Sequence, residues 1–253
     1  TKISIFHLKI KKMRIIFSFI ALWIFQLTNA QSVEGSWELI LENEIPTELT
    51  TVRIYQDGFF AEGTKEGDYE FKNAKGGIYE TEGSSYTEKF EFNSADKEKV
   101  GSINNLAIEV SKDTLRLKGQ DFSQTWLKIG DYQDDLSGVW IITGRQKNGE
   151  MQRREIGDRK TIKLLSGTRF QWIAYNSATG EFFATGGGSY LPKYGRYIEN
   201  IEFFSKDDFR VGASLTFDYQ VLNNEWHHRG KSSAGDAIYE IWSPYQPEEM
   251  IRD

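Results

Sequence analysis

The chain has no cysteine and only 4 prolines in 253 residues. Without cysteine there can be no disulfide, no thiolate metal ligand, no thiol nucleophile and no cysteine to carry a lipid. Such a fold is held by apolar burial alone, and aromatic residues, at 14% of the chain, supply the means. Histidine is scarce, at three residues, and two of them are the neighbours His227 and His228. Adjacent side chains on a strand face opposite ways, so this pair cannot hold one metal ion between them. No metal or other cofactor is expected. The sequence shows no phosphate-binding loop, no metalloprotease helix and no Gly-x-Ser-x-Gly elbow. It also lacks an apolar run of the roughly 20 residues that a membrane-spanning helix needs.

Charge is unevenly spread. Lys2, Lys9, Lys11, Lys12 and Arg14 fall in the first 30 positions, which hold no acidic residue, and this leaves the remainder at a net −11. A surface this acidic repels phosphate backbones, so no nucleic-acid partner is expected. The basic residues precede an apolar run from Ile15 to Phe25, interrupted at Ser18, and the small-residue ending Thr28-Asn29-Ala30. That pattern predicts a secretory signal over residues 1–30, cleaved after Ala30, with Met13 as the expected start and residues 1–12 upstream of it. It places the mature protein in the periplasm or outside the cell, with no stable membrane insertion after cleavage.

Beyond residue 30 one pattern is written twice. Gly35-Ser36-Trp37 matches Gly138-Val139-Trp140, and Gly77-Ile78-Tyr79 matches Gly188-Ser189-Tyr190. The run from Tyr86 to Phe92 matches that from Tyr197 to Phe203, and Trp126 matches Trp242. Collinear landmarks at one period mark an internal repeat. They divide the chain into a first unit over 31–129, a polar linker over 130–137, a second unit over 138–245 and a charged tail over 246–253. Within each unit the apolar period is two. Tyr86, Glu88, Phe90 and Phe92 are predicted to share a face, as are Tyr197, Glu199, Ile201 and Phe203. Asp57-Gly58, Asn148-Gly149 and Gly76-Gly77 read as turns, and Gly186-Gly187-Gly188 as a turn or strand kink. The class is all-β: two tandem antiparallel barrels, with β-sandwiches as the alternative.

A Gly-x-Trp opening followed by meandering strands resembles the lipocalin superfamily. Within it, the chain is most similar to lipocalin-like, calycin-type secreted proteins of the Bacteroidetes type. These share a Gly-Gly-x-Tyr, Tyr-x-Glu, Glu-x-Trp pattern, matched here by Gly187-Gly188-Ser189-Tyr190, Tyr197-Ile198-Glu199 and Glu240-Ile241-Trp242. The resemblance implies two barrels, each closed at one end by its Trp, often against a basic residue near the last strand. Lys128 suits that role in unit one, but Pro244 stands there in unit two.

The two units differ where Trp226 and His228 replace Leu115 and Leu117. Folding explains residues common to both copies; it does not explain core residues that turn polar in one copy only. Tyr190, Tyr197, Glu199, Trp226 and His228 are therefore the expected ligand-binding residues, with His228 inward, His227 and Arg229 outward, and Glu199 as the expected partner of His228. That partnership would raise the histidine pKa. The expected function is non-enzymatic binding of a small amphipathic or hydrophobic molecule in the second barrel. Two alternatives stand beside it. One is a carbohydrate-binding or glycan-hydrolysing module stacking sugars on Trp172, Tyr175, Tyr190 and Trp226; the other is a structural module with filled barrels.

Overall fold

Alternating side chains and tight turns fold each unit into an up-and-down meander that closes on itself. The structure, a computed structural model, describes residues 32–246; the signal-like segment over 1–30 and all but the first residue of the tail over 246–253 lie outside the described residues. The first sheet holds β1 (Gly35–Glu42), β2 (Ile45–Pro46), β3 (Thr50–Gln56), β4 (Phe59–Glu66), β5 (Glu70–Glu82), β6 (Ser85–Asn93), β7 (Ile103–Val110), β8 (Thr114–Lys118) and β9 (Ser123–Gly130). The second holds β10 (Gly138–Lys147), β11 (Glu150–Arg153), β12 (Arg159–Ser166), β13 (Arg169–Asn176), β14 (Glu181–Lys193), β15 (Arg196–Phe204), β16 (Ser214–Leu222), β17 (Glu225–Lys231) and β18 (Ala237–Pro244). Pairing of β1 with β9 and of β10 with β18 closes the sheets. The short β2 and β11 pair only with β1 and β10, so each barrel has eight staves. Closure leaves no long edge to template aggregation.

The turns obey local backbone chemistry. Asp57-Gly58 and Asn148-Gly149 have positive φ at both positions, as a two-residue hairpin turn matched to strand twist requires. Gly76-Gly77, by contrast, is not a turn but lies inside β5, and Gly186-Gly187-Gly188 lies inside β14. Opposite each stretch the partner strand bulges, with Glu91 of β6 as the extra residue facing Gly76-Gly77 and Glu202 of β15 the one facing Gly187-Gly188. A Cβ at Gly77 would lie 2.0 Å from the Lys89 carbonyl oxygen, and one at Gly188 2.0 Å from that of Asn200. Only glycine permits the approach.

The bulge corrects the expectation of one shared face. Gly77 pairs with Phe90 but Gly76 with Phe92, and Gly188 with Ile201 but Gly187 with Phe203. The extra residue sends Phe92 and Phe203 to the outside of their barrels. There they join the contact between the barrels. Ile54, Phe59, Ala61, Ala74, Ile78 and Phe92 form one buried cluster with Val139, Ile141, Ile162, Leu164, Ile173 and Tyr175. Phe203 stacks on Phe71. Polar bonds frame this apolar seam. Ser166 donates to the Gln56 side chain at 2.7 Å, and the Glu91 carboxylate accepts from Tyr175, Tyr245 and Lys160.

Each barrel also has its own interior. Trp37 and Trp140 plug equivalent ends, and each indole N–H donates at 2.8 Å to a carbonyl four residues upstream, of Val33 and Leu136. Val33 and Leu136 are buried beneath them, so the repeat begins before its glycine. Lys128 lies 4.8 Å above the Trp37 ring, whereas Trp140 is paired with Pro244. Deleting a buried aromatic costs about 3–5 kcal/mol. Trp37→Ala and Trp140→Ala should each lower stability by about that amount in chemical denaturation. A substitution that left the midpoint unchanged at either position would deny that tryptophan its role as a plug.

Candidate functional site

Strand register aligns the two lumens residue by residue. Arg53 pairs with Glu62 where Lys163 pairs with Trp172, and Glu62 pairs with Lys75 where Trp172 pairs with Gly186. Glu88 pairs with Asn104 where Glu199 pairs with Leu215, and Leu117 with Gln124 where His228 pairs with Glu240. Each barrel thus carries one buried cation, Arg53 on β3 or Lys163 on β12, and one carboxylate on a strand three staves away.

In barrel one the cluster is complete. Arg53 reaches Glu62 at 2.5 Å, Glu88 at 3.3 Å and the Tyr55 hydroxyl at 3.0 Å. Tyr86 and Asn104 donate to Glu88 at 3.0 and 3.1 Å. Burial would raise the Glu62 carboxyl, but Lys75 and Arg53 hold it below the usual carboxylate range.

In barrel two the matching positions are less well satisfied. Lys163 donates to Glu199 at 2.5 Å, and its ammonium lies 5.2–5.8 Å from the ring centres of Phe170, Tyr197, Trp226 and Trp242. Glu240 accepts from Arg145 at 2.5 Å and lies 3.5 Å from His228 Nδ1, outside hydrogen-bonding geometry. The Tyr197 hydroxyl, the indole N–H groups of Trp226 and Trp242, and both ring nitrogens of His228 are buried without a hydrogen-bond partner. Tyr86, the barrel-one equivalent of Tyr197, does have one. Among the described residues of barrel one, the Trp126 indole alone is left in that state.

All five residues expected at the site from sequence are buried in barrel two. The structure brings Tyr197, Trp226 and His228 together, with ring centres 5.1–5.8 Å apart. Glu199 sits beside them through Lys163. Tyr190 donates to Asp134 at 2.8 Å, and its ring touches that of Tyr197. His228 points inward, while His227 bonds Tyr239 on the outer face and Arg229 is exposed. Two expectations are corrected. Glu199 bonds Lys163, not His228, whose nearest carboxylate is Glu240. The His228 pKa is lowered rather than raised, because burial outweighs the pull of Glu240 and Lys163 adds repulsion. Sequence reasoning missed Lys163, Glu240 and Arg145. Glu240 was visible in the Glu-x-Trp pattern, but nothing local marks Lys163 as inward.

The four residues expected to stack sugars do not share one surface. Tyr175, Tyr190 and Trp226 are buried, and Tyr175 belongs to the seam between barrels. Trp172 alone of the four is partly open, lying against Phe204 with ring centres 5.5 Å apart. No protein-family model matches the chain, and no curated protein matches it. Among the described residues no helix is long and apolar enough to cross a membrane.

A histidine kept neutral by burial makes stability depend on pH in one direction. Above its ordinary pKa of about 6.5 it is neutral in both folded and unfolded chains. As pH falls below that, the unfolded chain gains a proton that the folded chain refuses, and stability falls by up to about 1.4 kcal/mol per pH unit. The Glu240 carboxyl lies below the ordinary carboxylate range, so it titrates outside this window. Between pH 7.5 and 5 the melting temperature of the parent should therefore fall more than that of His228→Leu. Equal falls would show that His228 is free to protonate in the fold.

Proposed function

We propose that this chain is an exported, non-enzymatic binding protein that holds a small amphipathic molecule in its second barrel. The observation that carries this reading is the contrast between equivalent tyrosines and strands. Among the described residues both barrels leave one equivalent indole open, Trp126 or Trp242, but barrel two alone adds Tyr197, Trp226 and His228 with open donors or acceptors. A buried donor without an acceptor costs about 1–3 kcal/mol, and a ligand oxygen among Tyr197, Trp226 and His228 would recover it. Trp172, Leu215 and Ile238, half-buried against the aromatic cluster of barrel two, would offer apolar contact to the non-polar part of the same molecule. Glu62 and Glu240 are held below the usual carboxylate range, which suits them to accept hydrogen bonds rather than to donate a proton as a glycan-cleaving acid does.

Close ring packing supports a second reading, in which barrel two is a filled structural plug. Phe217 and His228 have ring centres 4.1 Å apart, and Trp226 and Trp242 5.9 Å. One experiment separates the two readings. The secreted chain, its amino terminus read by mass spectrometry, is screened against fatty acids, aromatic acids and sterols by melting temperature and tryptophan fluorescence, alongside His228→Leu and Glu199→Gln. The binding reading expects a ligand that stabilises the parent, with affinity weakened at least tenfold in both variants. A plug would show no ligand and a His228→Leu variant that is simply more stable. A ligand held equally well by both variants would refute this site.

A further inference from the structure

The mouth of barrel one is a different kind of place. A cavity of about 440 Å³ opens there, lined by Arg53, Lys75, Glu88, Asn104, Gln124 and Phe122 among others. That volume falls within the roughly 300–1,000 Å³ of small-molecule sites. Register shows how its character arises. Where barrel one has Glu62, Lys75, Asn93 and Asn104, barrel two has Trp172, Gly186, Phe204 and Leu215. The second barrel folds with apolar residues at all four positions, so the fold does not require polar ones. Burying charge is costly unless it is paired, and barrel one carries this cost around an open cavity.

The pairing decides what the cavity suits. Arg53 and Lys75 are balanced by Glu62 and Glu88 within 2.5–3.3 Å. The lining itself carries as many cations, Arg53, Lys75 and Lys99, as carboxylates, Glu42, Glu88 and Glu98, so it presents no net charge to favour a charged ligand. A neutral molecule with many hydroxyls would find what it needs, because each hydroxyl both donates and accepts. Carboxylate lone pairs, the Lys75 ammonium, and the amides of Asn104 and Gln124 offer both roles around one opening. Phe90 and Phe122 add apolar surface for the C–H face of a sugar ring.

We propose that the mouth of barrel one is a second binding site, for a neutral sugar of one or two rings, independent of the site in barrel two. The test uses the mature full chain and saturation-transfer NMR with isothermal titration calorimetry. The panel is glucose, galactose, mannose, N-acetylglucosamine, maltose, lactose and cellobiose, with glucose 6-phosphate and choline as anionic and cationic controls. The expected result is saturable binding of at least one neutral sugar and weaker binding of the controls. Asn104→Leu, which places leucine where barrel two has it, should weaken that sugar at least tenfold with a small change in melting temperature. Lys75→Met should weaken it too, while His228→Leu leaves it unchanged, so that failure here is distinguishable from failure of the barrel-two site. The proposal is overturned if no neutral sugar binds, if a charged control binds best, or if neither Asn104→Leu nor Lys75→Met alters binding. Loss of sugar binding on His228→Leu alone would move the site to barrel two.

Discussion

Each barrel is built around one buried cation, and that single constraint orders most of the interior. Arg53 and Lys163 occupy the same register on equivalent strands, and each must find a carboxylate across the lumen, Glu88 or Glu199, because an unpaired charge there would not be tolerated. Aromatic rings fill the remaining space. The Arg53 guanidinium lies 4.9 Å from the ring centres of Phe60 and Trp126, and four rings surround the Lys163 ammonium. The difference between the two cations explains the difference between the two lumens. A guanidinium offers five donors in a planar fork and bonds Tyr55, Glu62 and Glu88 at once. An ammonium is a compact point, and Lys163 reaches Glu199 alone. Tyr197 and His228, on the same lumen, go without.

The outer faces obey a second demand. A closed barrel in water ordinarily presents polar residues outward, yet here the outer faces of β3–β6 and of β10, β12 and β13 are apolar enough to form a core of their own. The bulges at Glu91 in β6 and Glu202 in β15 contribute by turning Phe92 and Phe203 outward into that region. Two lumens therefore remain separate while the barrels share one seam, and each lumen is free to diverge in chemistry. One has a charged mouth over a satisfied network. The other has aromatic rings around an incomplete one.

The doubling, the all-β class and the Trp plugs were legible because they depend on short-range signals: a two-residue period, Asp-Gly and Asn-Gly turns, and a Gly-x-Trp opening repeated 103 residues later. The inward position of His228 was also legible, from the repeat, which sets it and Trp226 where the first unit has Leu117 and Leu115. Its partner was not, since Glu199 and Glu240 both share its lumen and only register distinguishes them. Lys163 escaped notice because insertions shift the repeat offset just there, so that Arg53 and Lys163 do not align on any landmark. Phe92 and Phe203 were misplaced because strict alternation contains no mark of an extra residue; the glycines that permit the bulge looked like turn signals.

A double-mutant cycle on the buried pair of barrel two tests the central constraint most directly. Lys163→Met and Glu199→Leu, singly and together, are compared by chemical denaturation. If the pair organises the barrel, each single change strands a buried charge and costs about 3–5 kcal/mol, while the double variant loses far less than the sum. Additivity to within about 0.5 kcal/mol would mean that Lys163 and Glu199 act independently, and would contradict the account.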